Sequence, residues 1–85
     1  MIDVDTMERI DIEALAGMSR LVHGWLMKED LSGGQIRGRL RRSAFREFVP
    51  KFGLWVVQEV IRELARRGSR VIRIVPGRLY SLRDS

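Results

Sequence analysis

The sequence contains no cysteine, so no disulfide staples it and no thiolate is present to hold a metal. Asparagine is absent as well, and the only side-chain amides are Gln35 and Gln58. Few thermolabile amides suit a thermophile, although a GC-rich genome would produce the same bias toward arginine. His23 is the one histidine, and without a second imidazole or a thiol no metal site of ordinary ligand type can be built around it. Ser19 stands four residues before His23, but no third group is evident that would orient a nucleophile–base pair. Ser32-Gly33-Gly34 lacks the lysine that follows a phosphate loop, and the acids ahead of position 14 lack the regular placement of a calcium loop. No apolar run approaches the ~20 residues that span a bilayer. The start, Met1-Ile2-Asp3-Val4-Asp5, is acidic where a secretory leader carries positive charge. These absences set the expectation of a cytoplasmic binding protein with no catalytic residues, no cofactor, no metal and no membrane partner.

What is present is a short, basic, globular chain. Its 85 residues leave room for one domain, and 45% apolar content separates it from disordered sequences. A chain of this size hides only about 60–65% of the surface that its unfolded form exposes, so the core is modest. The formal charge is +5, unevenly spread. Residues 1–30 hold seven acids against three bases, whereas residues 31–85 hold thirteen bases against four acids. A basic C-terminal two-thirds behind an acidic lead-in is the asymmetry expected of a nucleic-acid binder. A solvated surface that happens to use arginine would look similar.

No internal repeat or low-complexity segment interrupts the chain. Hydrophobic periodicity predicts a first helix over about Thr6–Lys28, opened by an Asp5/Glu8 capping box, with Ile10, Ala14, Met18, Leu21 and Trp25 on one face. Leu15, Val22 and Leu26 widen that face. Gly17 and Gly24 each weaken a helix by about 1 kcal/mol relative to alanine, so a shorter helix starting near Asp11 is the alternative. Ser32 and Gln35 have capping-box spacing ahead of Ile36, Leu40, Ala44 and Phe48, with Phe45 beside them. A second helix of three to four turns should therefore end near Phe48 or Val49, before Pro50. The third helix is expected over Leu54–Arg67, burying Leu54, Val57, Ile61, Leu64 and Ala65, with Val60 extending the stripe and Gly68 as the stop. Two β-rich runs follow, Arg70–Val75 and Arg78–Arg83, with Ile72, Ile74, Tyr80 and Leu82 facing the core. Pro76-Gly77 does not suit a primed two-residue turn, so a wider loop is expected at the tip. The fold class is mostly α with a C-terminal β-hairpin.

The stretch Val60-Ile61-Arg62-Glu63-Leu64-Ala65-Arg66-Arg67-Gly68, continued by Val71-Ile72-Arg73-Ile74-Val75-Pro76-Gly77-Arg78-Leu79-Tyr80-Ser81-Leu82, resembles the winged helix-turn-helix superfamily. It looks like the end of a recognition helix followed by a wing. The resemblance covers residues 54–83 well and 32–53 loosely. It implies that the third helix enters the major groove while the wing meets neighbouring backbone or minor groove. Carried over by position, Trp55, Gln58, Glu59, Arg62 and Arg66 take the solvent side of the third helix, and Arg73 and Arg78 flank the wing tip. The second helix adds Arg37, Arg39, Arg41, Arg42 and Arg46, in two ridges whose like-charge repulsion a polyanion would relieve; the connector adds Lys51. The alternative is a solvated helix face screened by Glu47 and nearby acids.

One departure from a typical base reader stands out. The third helix begins Gly53-Leu54-Trp55-Val56-Val57, where a reader would offer polar side chains, and Gln58 and Arg62 are the obvious base-contacting candidates. Trp55 could stack on a base, seal a dimer contact or pack beneath the N-terminal segment; Trp25 is expected in the core. The leading expectation is a double-stranded-DNA-binding winged helix, a small transcription regulator or chromatin-associated factor associated with the nucleoid, with weak sequence preference as open as an operator site. The alternative is a winged-helix protein–protein interaction subunit of a replication or transcription machine. RNA binding, and a homodimer through the first helix, remain open beside them.

Overall fold

The computed structural model describes residues 11–83. Helix α1 spans Ile12–Lys28, β1 Leu31–Ser32, α2 Gly33–Arg41 and α3 Trp55–Arg66, and β2 Val71–Ile74 and β3 Leu79–Leu82 follow. A single 3-10 turn, Arg46–Phe48, interrupts the connector between α2 and α3. The strands make one antiparallel sheet in the order β1-β3-β2. The described residues thus form three α-helices and a three-stranded sheet whose two longer strands are C-terminal.

Local chemistry sets most of the boundaries. Glu13 N–H donates to the Asp11 carboxylate at 2.9 Å, which caps α1 at the later of the two expected starts. The Asp5/Glu8 capping box, Ile10 and the acidic lead-in lie outside the described residues. Ser32 and Gln35 form the reciprocal capping box, with Gln35 N–H on Ser32 Oγ at 3.1 Å and Ser32 N–H on Gln35 Oε1 at 2.8 Å. Gly68 closes α3 at φ +91°, a conformation that glycine adopts without a Cβ clash. Its N–H donates to Ala65 O, and Ser69 N–H reaches back to Leu64 O.

Met18, Val22 and Leu26 of α1, Leu31 of β1, Ile36 and Leu40 of α2, and Val56, Val57, Val60 and Leu64 of α3 form the core with Ala14 and Val49. Leu15, Trp25, Phe45, Ile61, Val71, Tyr80 and Leu82 pack around it, partly buried. Phe45 lies close over α1: a Cβ placed on Gly17 would stand 2.3 Å from Phe45 Cζ. The costly glycine inside α1 therefore makes room for an aromatic ring.

Four sequence expectations are corrected and one strand is added. Helix α2 stops at Arg41, seven residues before Phe48, because Ser43 intervenes: its hydroxyl donates to Leu40 O at 2.6 Å and accepts Phe45 N–H at 3.1 Å. That takes the amide which would have continued the helical ladder, and it leaves Ala44 and Phe48 exposed. On α3 the buried stripe is turned toward Val56, while Leu54 and Ala65 face outward. Leu21 of α1 is also exposed, since Val22 and Leu26 already fill that side. The strand parity of β2 is shifted by one: Val71 pairs with Leu82 and Arg73 with Tyr80, so Val71 shares the core-facing side with Tyr80 and Leu82. Ile72 and Ile74 take the other face, and Ile72 is 38% exposed. Finally, β1 was not anticipated; Leu31 is buried opposite Tyr80. The wider tip is found as expected, with residues 75–78 looping between Ile74 and its partner Leu79.

Candidate nucleic-acid interface

The basic residues expected on the second helix fall into distinct groups, and Arg42 and Arg46 lie beyond its end at Arg41 rather than on it. Arg37 Nη1 donates to Gly53 O at 3.1 Å, and Arg41 Nη1 donates to Val49 O at 2.8 Å. Both arginines brace the connector leading into α3, each with guanidinium donors left over, since the group carries five. Arg39 sits 5.6 Å over the Trp25 ring and 3.6 Å from Glu29, which places Trp25 half-buried at the rim of the core. Arg42 and Arg46 are exposed, with no carboxylate partner among the described residues. Lys51 Nζ lies 5.8 Å from the Phe52 ring.

On α3 the expected ridge of Trp55, Gln58, Arg62 and Arg66 is solvent-facing, but its charge is largely offset, with two glutamates set among three arginines. Arg62 pairs with Glu59, Arg66 reaches Glu63 at 3.4 Å and Glu59 at 4.0 Å, and Arg67 Nε donates to Glu63 at 3.0 Å. Exposed pairs of this kind contribute only about 0–1 kcal/mol each. Their larger consequence is electrostatic: two carboxylates are interleaved with the arginines that the resemblance would send into a groove. The i,i+3 and i,i+4 spacings were a readable signal of this pairing.

The hairpin carries the remaining expected residues. Arg73 is exposed on the Tyr80 side of the sheet, and Arg78 is exposed in the tip loop at φ +52°. Neither has a carboxylate partner among the described residues. The loop also holds a cis Val75–Pro76 bond.

Sequence reasoning missed the aromatic content of the connector. Phe48, Phe52, Leu54 and Trp55 are all exposed, Phe52 at 78% and Trp55 at 39%. The signal lay in two phenylalanines flanking Pro50 and Lys51, in a connector that would ordinarily be polar. Elsewhere, a shallow cavity of about 190 Å³ between α1 and the end of α3 is lined by Ser19, Arg20, His23, Leu64, Arg67 and Ser69. The Ser19 hydroxyl is turned away into its own helix, donating to Leu15 O at 2.7 Å. Among the described residues no helix is long and apolar enough to cross a membrane. No protein-family model, curated protein or solved structure matches the chain.

Proposed function

We propose that the chain is a winged-helix DNA-binding module, a small transcription regulator or chromatin-associated factor that grips the phosphate backbone and reads sequence weakly. Three helices closed by a hairpin are compatible with the superfamily that residues 54–83 resemble. The observation that carries the reading is the placement of unpaired positive charge. Arg42, Arg46 and Lys51 lie before α3 and Arg73 and Arg78 lie beyond it, all exposed and without carboxylate partners among the described residues. Arginine and lysine on phosphates supply affinity and register, while base edges need polar side chains in the groove. On α3 that leaves Gln58, because Arg62 and Arg66 are engaged by glutamates.

Titration of duplex DNA at several salt concentrations tests the proposal. If all five basic groups meet phosphate, log K should fall with log salt at a slope of about −4.5, from about −0.9 per neutralised phosphate. Binding that is absent at low salt, or indifferent to salt, would overturn it. A second reading, a protein–protein subunit of a larger machine, is favoured by one observation, the exposed apolar entrance to α3.

A further inference from the structure

We propose that the connector and first turn of α3 form a stacking site for unpaired nucleobases, so that the preferred ligand carries a single-stranded segment. The inference rests on the nucleic-acid reading above and names the part of the ligand that this surface takes. Phe48, Phe52 and Trp55 fall within eight residues of chain and are all exposed. They are not on a free loop. Arg41 holds the connector at the Val49 carbonyl and Arg37 holds it at the Gly53 carbonyl, on either side of Phe52. Rings presented on a braced backbone lose less freedom on binding than rings on an unbraced one.

Charge selects the occupant. Around the connector Arg42, Arg46 and Lys51 are exposed without carboxylate partners among the described residues. Lys51 Nζ stands 5.8 Å over one face of the Phe52 ring, which brings a cation for a phosphate and an aromatic ring for a base close together. Polyanionic backbone and flat apolar bases together describe single-stranded nucleic acid, which binds through positively charged grooves and aromatic platforms with little sequence preference. An intact duplex uses such rings only at a cost, because its base faces are covered by stacked neighbours and a step must be unstacked to admit one. Its exposed edges call for several hydrogen-bonding groups, and the exposed residues at the start of α3, Leu54 and Trp55, offer one side-chain donor, the indole N–H.

The test uses the full chain carrying Trp25→Phe, so that Trp55 is the sole tryptophan reporter. Its ligands are an oligothymidine of about 12 nucleotides, within the ~4–16 covered by small single-strand-binding folds, an oligouridine of equal length, and a blunt duplex with the same number of phosphates. The expected result is quenching of Trp55 by the single strands and tighter binding of at least one of them than of the duplex. The tighter of the two identifies the strand as DNA or RNA. Phe52→Ala should weaken single-strand binding about 5- to 150-fold, the range of one lost stack, with the melting curve unchanged because the ring is exposed. Phe52→Leu should weaken it as well, since it keeps apolar bulk and loses the π-face. If single strands bind no tighter than the duplex and Phe52→Ala changes nothing, the inference is overturned while salt-dependent duplex binding leaves the DNA reading standing. If no nucleic acid binds, both fall. If Phe52→Ala spares nucleic-acid binding but dissolves a self-associated species in sedimentation, the surface is a protein contact and the inference is likewise overturned.

Discussion

Replacing Gly17 with alanine should destabilise the protein even though alanine is the better helix former. The new Cβ would stand 2.3 Å from Phe45 Cζ and 2.8 Å from Cε1, against ordinary carbon contacts of about 3.5–4.0 Å. The ring must withdraw by more than an ångström, and it packs against the core from a turn fixed by the Ser43 hydroxyl. Overpacking of this kind costs about 1–3 kcal/mol, opposed by about 1 kcal/mol of helix propensity. The sharper quantity is the coupling between the two positions. With Phe45→Ala already in place the obstacle is gone, and Gly17→Ala should then stabilise by up to about 1 kcal/mol. The sign of one substitution should therefore invert with the background, giving a coupling of about 1–3 kcal/mol. Urea unfolding followed by circular dichroism measures all four proteins. A Gly17→Ala that stabilises equally in both backgrounds would refute the close approach of Phe45 to α1, and with it the anchoring of the connector at its first turn.

Further tests address the charge arrangement. Glu59→Gln with Glu63→Gln should tighten duplex binding and steepen its salt slope, because Arg62, Arg66 and Arg67 lose their internal partners; unchanged binding would show that α3 stays clear of the phosphates. Arg73→Gln with Arg78→Gln should reduce the magnitude of the slope by about 1.8 if both residues touch phosphate, whereas an unaltered slope would remove the hairpin from the interface. The wide apolar face of α1 is spent on the core through Ala14, Met18, Val22 and Leu26, so a homodimer through this helix would rest on exposed residues such as Met27; it should appear in sedimentation at tens of micromolar and dissociate in Met27→Glu, and a monomer at that concentration would end the idea.

The parts of the fold that depend on bonds between near neighbours were readable. The Ser32–Gln35 box and the Gly68 stop each need only residues within one turn of the chain, and both are present. Expectations failed where a distant partner or a competing hydroxyl decided. Ile36, Leu40, Ala44 and Phe48 have faultless helical spacing, yet Ser43 offers the backbone another set of bonds and the helix ends at Arg41. Parity in β2 was ambiguous in Val71-Ile72-Arg73-Ile74, which has apolar residues on both faces; pairing with β3 settles it. The two residues of β1 are too few to show a period, and they become a strand only by pairing with Leu79 and Tyr80 far along the chain.

The candidate site divides the same way, and the division bears on how such a surface could work. The solvent side of Trp55 and of the arginines of α3 is where the winged-helix resemblance places them, and these residues are exposed. That Arg37 and Arg41 would brace a connector depended on where the connector runs, which no local pattern encodes. The thirteen bases of residues 31–85 consequently do not act as one field. Those on α3 are offset by Glu59 and Glu63, Arg39 is shared with Glu29 and Trp25, and two on α2 are partly spent on backbone carbonyls. Uncompensated charge remains at the connector and on the hairpin, on either side of α3 in the chain, and the aromatic residues belong to the connector. Such a surface would hold a phosphate chain by its charge and offer flat apolar faces to whatever bases that chain presents. It contains few groups able to distinguish one base edge from another, so affinity without strong sequence preference is the behaviour its chemistry favours.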